Sequence, residues 1–150
     1  MISFIIDGNN LIGKIKSLMD LQKKDKQASR EKLVLILDRY FFGKKYSVTL
    51  HFDGHPNGKI NSNSLKIIYS ENITADEKIK KQIENISSRK NTTVVTSDSN
   101  LSEFARVCSC KVISSDEFAK MIKNMSREED EESRIKEINN DEFIKLFKSE

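Results

Sequence analysis

Ser3-Phe4-Ile5-Ile6-Asp7-Gly8-Asn9-Asn10 decides how the rest of the chain is read: an apolar run passes directly into a carboxylate, a glycine and two amides. A buried strand that ends in an acid carries that acid to the edge of a sheet, and ligands of open α/β folds bind along that edge. The arrangement returns twice. Ser47-Val48-Thr49-Leu50-His51-Phe52 reads as a strand ending in Asp53-Gly54, and Asn91-Thr92-Thr93-Val94-Val95-Thr96-Ser97 as a later one ending in Asp98.

Helical patterns fill the intervals. Leu11 to Leu21 predicts a short helix or lid, and residues 22–27 a polar break. From Ala28 the apolar positions Leu33, Val34, Ile36, Leu37, Tyr40 and Phe41 recur at helical spacing, with Ser29 as a cap and Gly43 as the stop. Residues 55–64 hold Pro56 and Asn57-Gly58 and form a loop, after which Leu65 to Ser70 is a third strand. Thr74-Ala75-Asp76-Glu77 is a capping box that opens a helix with Ile79, Ile83 and Ile86 on one face. Leu101, Phe104, Ala105 and Val107 mark another helix, Cys110 to Ser114 a fifth strand, and Ser114-Ser115-Asp116-Glu117 a second capping box before Phe118, Met121, Ile122 and Met125.

Strand alternating with helix predicts the α/β class: a three-layer α/β/α sandwich around a mostly parallel sheet of about five strands. In a parallel sheet the C-terminal ends of the strands share one edge. Asp7, Asp53, Asp76 and Asp98 are therefore expected on one rim. Any one of them alone is explained as a turn residue or helix cap, but capping predicts no preference for the same edge at four successive sites.

Composition sets the frame. The 150 residues are 37% hydrophobic and 33% charged, which suits a soluble domain with a charged surface. No apolar run approaches the roughly 18 to 20 residues of a membrane span, and the start lacks a signal-like core, so a cytoplasmic protein is expected. The only two cysteines, Cys108 and Cys110, stand far in sequence from His51 and His55 and read as ordinary thiols rather than as half of a zinc site. Residues 1–125 hold 21 Lys and Arg against 14 Asp and Glu, whereas residues 126–150 hold 5 against 9. A basic body suits a polyanionic partner. The tail reads as an acidic linker or exposed helix through Glu128 to Glu132 and a short amphipathic helix in which Phe143 and Phe147 dock on the body or, as the alternative, on a partner.

Converging carboxylates repel one another, and a divalent cation is the counter-charge that keeps them ionised. Oxygen-only donors point to a hard ion, Mg²⁺ or Mn²⁺. Such an ion lowers the pKa of a water and neutralises charge on a phosphodiester during in-line attack, which makes metal-dependent phosphodiester hydrolysis the expected chemistry. Asn10, Thr96, Ser97 and Glu77 are placed to orient the acids. Lys14, Arg30, Arg39, Lys78 and Arg106 are candidate contacts to the nucleic-acid backbone, although for each taken singly a solvated helix face is the better reading.

Ile5-Ile6-Asp7-Gly8-Asn9-Asn10-Leu11-Ile12, Leu50-His51-Phe52-Asp53-Gly54, Thr74-Ala75-Asp76-Glu77-Lys78-Ile79 and Val95-Thr96-Ser97-Asp98 resemble, in order and spacing, the NYN domain of the PIN-like nuclease superfamily, and in particular its YacP-like branch. The resemblance covers residues 2–125. It implies a PIN-like sandwich, an acidic site holding Mg²⁺ or Mn²⁺, and endoribonuclease activity on RNA, whether messenger or ribosome-associated. Asp7, Asp76 and Asp98 match the family's acids, Asn10 its amide, and Asp53 stands as a further acid. The alternatives are a non-catalytic RNA-binding module on the same fold and a phosphohydrolase with an aspartate nucleophile. The latter needs a second Asp two residues after the first, where this chain has Asn9.

Overall fold

The structure, a computed structural model, describes residues 1–148, with side-chain surroundings described as far as Ile135. Five strands form it, β1 (Ser3–Asp7), β2 (Ser47–Phe52), β3 (Leu65–Tyr69), β4 (Thr92–Val95) and β5 (Lys111–Ile113), all parallel and in the order β3-β2-β1-β4-β5. The helices are α1 (Gly8–Ile12), α2 (Lys16–Lys24), α3 (Lys26–Phe41), α4 (Ala75–Asn85), α5 (Ser99–Val107) and α6 (Ser115–Lys148), with one 3-10 turn at Arg89–Asn91. This is the α/β architecture the sequence predicts, and its sheet is wholly parallel.

The order of strands matters more than their number. The chain builds outward from β1 to β2 and β3, then returns to place β4 on the other side of β1. The connections leaving β1 and β4 diverge there, and the crevice at such a reversal is where open α/β sheets bind ligands. Asp7 ends β1, and Thr96, Ser97 and Asp98 follow β4.

Alternation along β1 decides which face receives Asp7. Ile5 packs with Ile79 and Ile83 of α4, Val94 of β4 and Leu101 and Ala105 of α5 in one fully buried cluster. Asp7, two residues on, projects to that same face. Phe4 points the other way, into a ring cluster with Phe41, Tyr46 and Phe118 at centroid separations of 5.2, 5.7 and 6.3 Å.

Several local expectations change. Lys16 to Lys24 is helical, so the polar stretch at 22–27 is broken only at Asp25, whose side chain caps α3 by accepting from the Ala28 N–H at 3.0 Å. Ser29 is no cap: it is fully buried and donates to the Leu18 carbonyl at 3.0 Å, tying α3 to α2. The Thr74–Glu77 capping box forms in full. The acidic run Glu128–Glu132 lies inside α6, the helical one of its two readings. Glutamate is a good helix former, and Asp130 stands four residues before Arg134 in the favourable charge order. The chain divides into two compact units, Met1–Ala119, which holds the sheet, and Lys120–Glu150. The docking expected of Phe143 and Phe147 concerns side chains outside the described residues.

Candidate acidic site at the sheet rim

Asp7 is half-buried at the end of β1, and its carboxylate is held from two sides. The Thr96 hydroxyl donates to Oδ2 at 3.0 Å, and the Asn10 backbone N–H also donates to the carboxylate. Burial pushes the Asp7 carboxyl above its ordinary range, those two donors pull it back, and the negative charges of Asp98 and Asp76 push it up again. The charges of two acids from other elements thus reach Asp7. Among the described residues, however, no three His, Cys, Asp or Glu side chains stand close enough together to enclose an ion.

Thr96 is the hinge of the arrangement. It is 1% exposed, and its hydroxyl accepts from the Asp98 N–H at 3.1 Å while donating to Asp7. Asp98 caps α5, taking the Leu101 N–H on Oδ1 at 2.8 Å. Asp76 lies in the first turn of α4, where an acid is favoured by the helix dipole. Its Oδ2 pairs with Lys80 at 3.1 Å, while Oδ1 is buried without a hydrogen-bond partner. The orphaned Asp76 Oδ1 is the one feature here that calls for a cation, and the carboxylate and hydroxyl oxygens near it are hard donors.

Asp53 has a different environment. Its Oδ1 accepts from the Ser70 hydroxyl and from the Ala75 N–H, both at 3.1 Å. Its backbone N–H donates to Asn9 Oδ1 at 2.8 Å, and its carbonyl accepts from Arg30 Nη2 at 2.6 Å.

The amides lock strand ends together. Asn10 Oδ1 accepts from the Ser97 N–H at 2.8 Å and from the Ser115 hydroxyl at 2.6 Å, joining the end of β1 to the segments after β4 and β5. Ser97 Oγ accepts from the Ser115 N–H at 2.9 Å, so this hydroxyl supports the start of α6. Glu77 completes the capping box with the Thr74 N–H at 3.4 Å. Gly8 is required by close approach: a Cβ there would stand 2.6 Å from the His51 carbonyl oxygen and 3.0 Å from the Phe52 ring.

The basic candidates scatter. Arg30 is 2% exposed, donates to the Asp53 and His55 carbonyls and lies over the Phe52 and Tyr69 rings at 5.2 and 5.4 Å, so it braces the loop after β2 instead of lining a surface. Arg39 and Arg106 stand in the last turns of α3 and α5, which lead into the N-terminal ends of strands, on the edge away from the acids. Lys14 pairs with Asp116 at 3.3 Å, and Lys78 follows in the first turns of α4; these two remain on the acid rim.

Sequence reading missed one group beside the rim. His51 pairs with Asp7 in the β1–β2 register, is 1% exposed, and shares a 2.7 Å hydrogen bond between Nε2 and Gln82 Oε1. Gln82 also donates to Thr49 Oγ1 at 3.0 Å. Burial lowers the His51 pKa, and the charges of Lys78 and Lys66 push it the same way against the Gln82 bond. Alternation places Thr49 and His51 on one face, and a glutamine at that height of the next helix was the available signal.

Residues 4–148 match the family model of the YacP-like NYN domain. Among solved structures, two crystal structures of Rae1 (YacP) from Bacillus subtilis, one a point mutant, superpose at TM-scores of 0.73 and 0.72 with 26% sequence identity. The first covers 95% of this chain and 84% of its own, and the mutant 91% and 82%. No curated protein is similar enough to count as a match.

Proposed function

The chain belongs to the YacP-like NYN family, a family of nuclease domains, and from that premise we propose that it is an endoribonuclease that hydrolyses RNA phosphodiester bonds with Mg²⁺ or Mn²⁺ held by Asp7, Asp76 and Asp98. One observation carries the reading: at the strand-order reversal, Asp7 feels the charges of both Asp98 and Asp76 while an oxygen of Asp76 is buried without a partner. A bound ion would supply the positive charge that lowers the pKa of a water and offsets the negative charge of the phosphodiester.

The chain's own groups do the rest. Thr96 and the Asn10 N–H fix the Asp7 carboxylate in one orientation, and the α5 cap fixes Asp98. The Lys80 ammonium holds the other oxygen of Asp76, leaving Oδ1 as the one to reach an ion. Lys14 and Lys78 give the rim positive charge for phosphates, which positions a polyanion without reading its sequence.

A circular RNA tests this, because only internal cleavage opens it. The protein with Mn²⁺ linearises the circle, while chelator or Asp98→Asn leaves it closed. Cleavage that survives both would overturn the proposal. The lack of an ion-enclosing group of three among the described residues favours one second reading, a non-catalytic RNA-binding module. Retention of the intact circle with no Mn²⁺-stimulated opening decides for that.

A further inference from the structure

Asp53 occupies a node between two halves of the rim. Its N–H is fixed by Asn9, two residues beyond Asp7, its carbonyl by Arg30, and the N–H of the next residue, Gly54, by Ser70 Oγ at 2.8 Å. With its backbone held, Asp53 presents Oδ1 to the Ser70 hydroxyl and to the N–H of Ala75, the first residue of α4. That N–H is one of the orphan donors of a helix start, and Thr74 already serves another, at Glu77. Asp76 is the next residue along.

We infer that Asp53 is the positioning residue of the acidic site: rather than binding the ion, it is the strut that holds the start of α4, and so Asp76, against the segment that follows Asp7. The charges around it agree. The carboxylates acting on Asp7 are Asp98 and Asp76, whereas the charge of Asp53 acts on Arg30, the cation that holds its carbonyl. Its oxygen Oδ1 is already engaged by two donors, in contrast to the orphaned Oδ1 of Asp76. The geometry stands by itself, and its consequence for ion binding rests on the function proposed above.

A ligand and a strut respond differently to an isosteric amide. Asn retains a carbonyl oxygen for Ser70 and Ala75 but loses the charge an ion requires, whereas Ala removes both. Mn²⁺ dissociation constants from calorimetry for the full chain and its Asp53→Asn, Asp53→Ala, Ser70→Ala and Asp76→Asn variants separate the two. The strut predicts Asp53→Asn within about threefold of the parent, Asp53→Ala weaker by about 10- to 100-fold as for other outer-sphere supports, and Ser70→Ala between them. Asp53→Asn binding as poorly as Asp76→Asn would make Asp53 a ligand and overturn the inference, as would Asp53→Ala binding like the parent.

Amide hydrogen exchange at Ala75 reads the strut without any ion. Exchange about fivefold faster in Asp53→Ala but not in Asp53→Asn supports it, and unchanged exchange in both overturns it. Should Asp53→Ala fail to fold, Ser70→Ala, which removes one of the two donors, carries the comparison. A parent chain that binds no Mn²⁺ and opens no RNA circle defeats the proposed function alone, and the exchange result still decides the strut.

Discussion

Asp7-Gly8 and Asp53-Gly54 are the same phrase in the sequence, an acid and a glycine closing an apolar strand, and they end in opposite circumstances. Asp7 stands at the reversal between β1 and β4, where Thr96 holds it and two other carboxylates press on it. Asp53 stands one strand away at the end of β2, where donors from Ser70 and Ala75 occupy its oxygen. The glycines differ too. Gly8 has ordinary helical geometry and is needed because β2 passes within a methyl group's reach, whereas a Cβ at Gly54 would meet only Arg30 Nη2 at an unstrained 3.9 Å, but the residue adopts φ +87°. What a motif does is set by the neighbour the topology brings to it.

The largest effect that breaks the symmetry is Asp7→Asn. RNA cleavage should fall beyond the roughly 10- to 100-fold loss typical of outer positions, while Asp53→Asn stays active. Stability should move the other way. The Asp7 carboxyl is raised from the ordinary 3.8, so the folded chain holds this proton more tightly than the unfolded one. The favourable contribution is complete below the ordinary value and is lost as pH rises through the raised value. At neutral pH the ionised group therefore costs stability, and metal-free Asp7→Asn should melt above the parent at pH 7, the gap closing as pH falls toward 4. A lower melting temperature at pH 7 would contradict the assignment of burial as the leading cause.

Gly8→Ala comes next, with about 3 kcal/mol lost in denaturant titration, because the obstacle is a backbone carbonyl that cannot step aside. Arg30→Met should cost about 1–2 kcal/mol by freeing the Asp53 and His55 carbonyls, and limited proteolysis should find new cleavage at residues 53–58. RNA affinity should be unchanged by it, in contrast to Lys78→Ala. Gly54→Ala is the smallest, about 1 kcal/mol from a left-handed backbone alone, and Gly54→Asn should recover part of it.

The fold was legible because each strand is a short run built on β-branched, aliphatic or aromatic residues between turn signals, and the helices between them show an apolar period. Thr74 and Glu77 announce α4 by local chemistry, and local chemistry is what a sequence displays. Ser29 and Arg30 misled for the converse reason: both are polar residues on a helix, and only tertiary packing makes one a buried tie to Leu18 and the other a brace under the loop after β2. The rim of acids could be foreseen from parallel strands alone. Which acids face one another could not, since strand order sets β1 between β2 and β4 and gives Asp7 both Asp53 and Asp98 as neighbours, and strand order is written nowhere in the spacing. The paired amides are similar. Asn9 and Asn10 are adjacent, yet one secures β2 and the other reaches the segments after β4 and β5.

A crystal of the protein soaked in Mn²⁺ and measured at the manganese absorption edge tests the central claim most directly. The account predicts an anomalous peak in contact with Asp7, Asp76 and Asp98, with Asp53 still bonded to Ser70 and Ala75. No peak at that rim, or a peak on Asp53 with Asp7 left out, would contradict it.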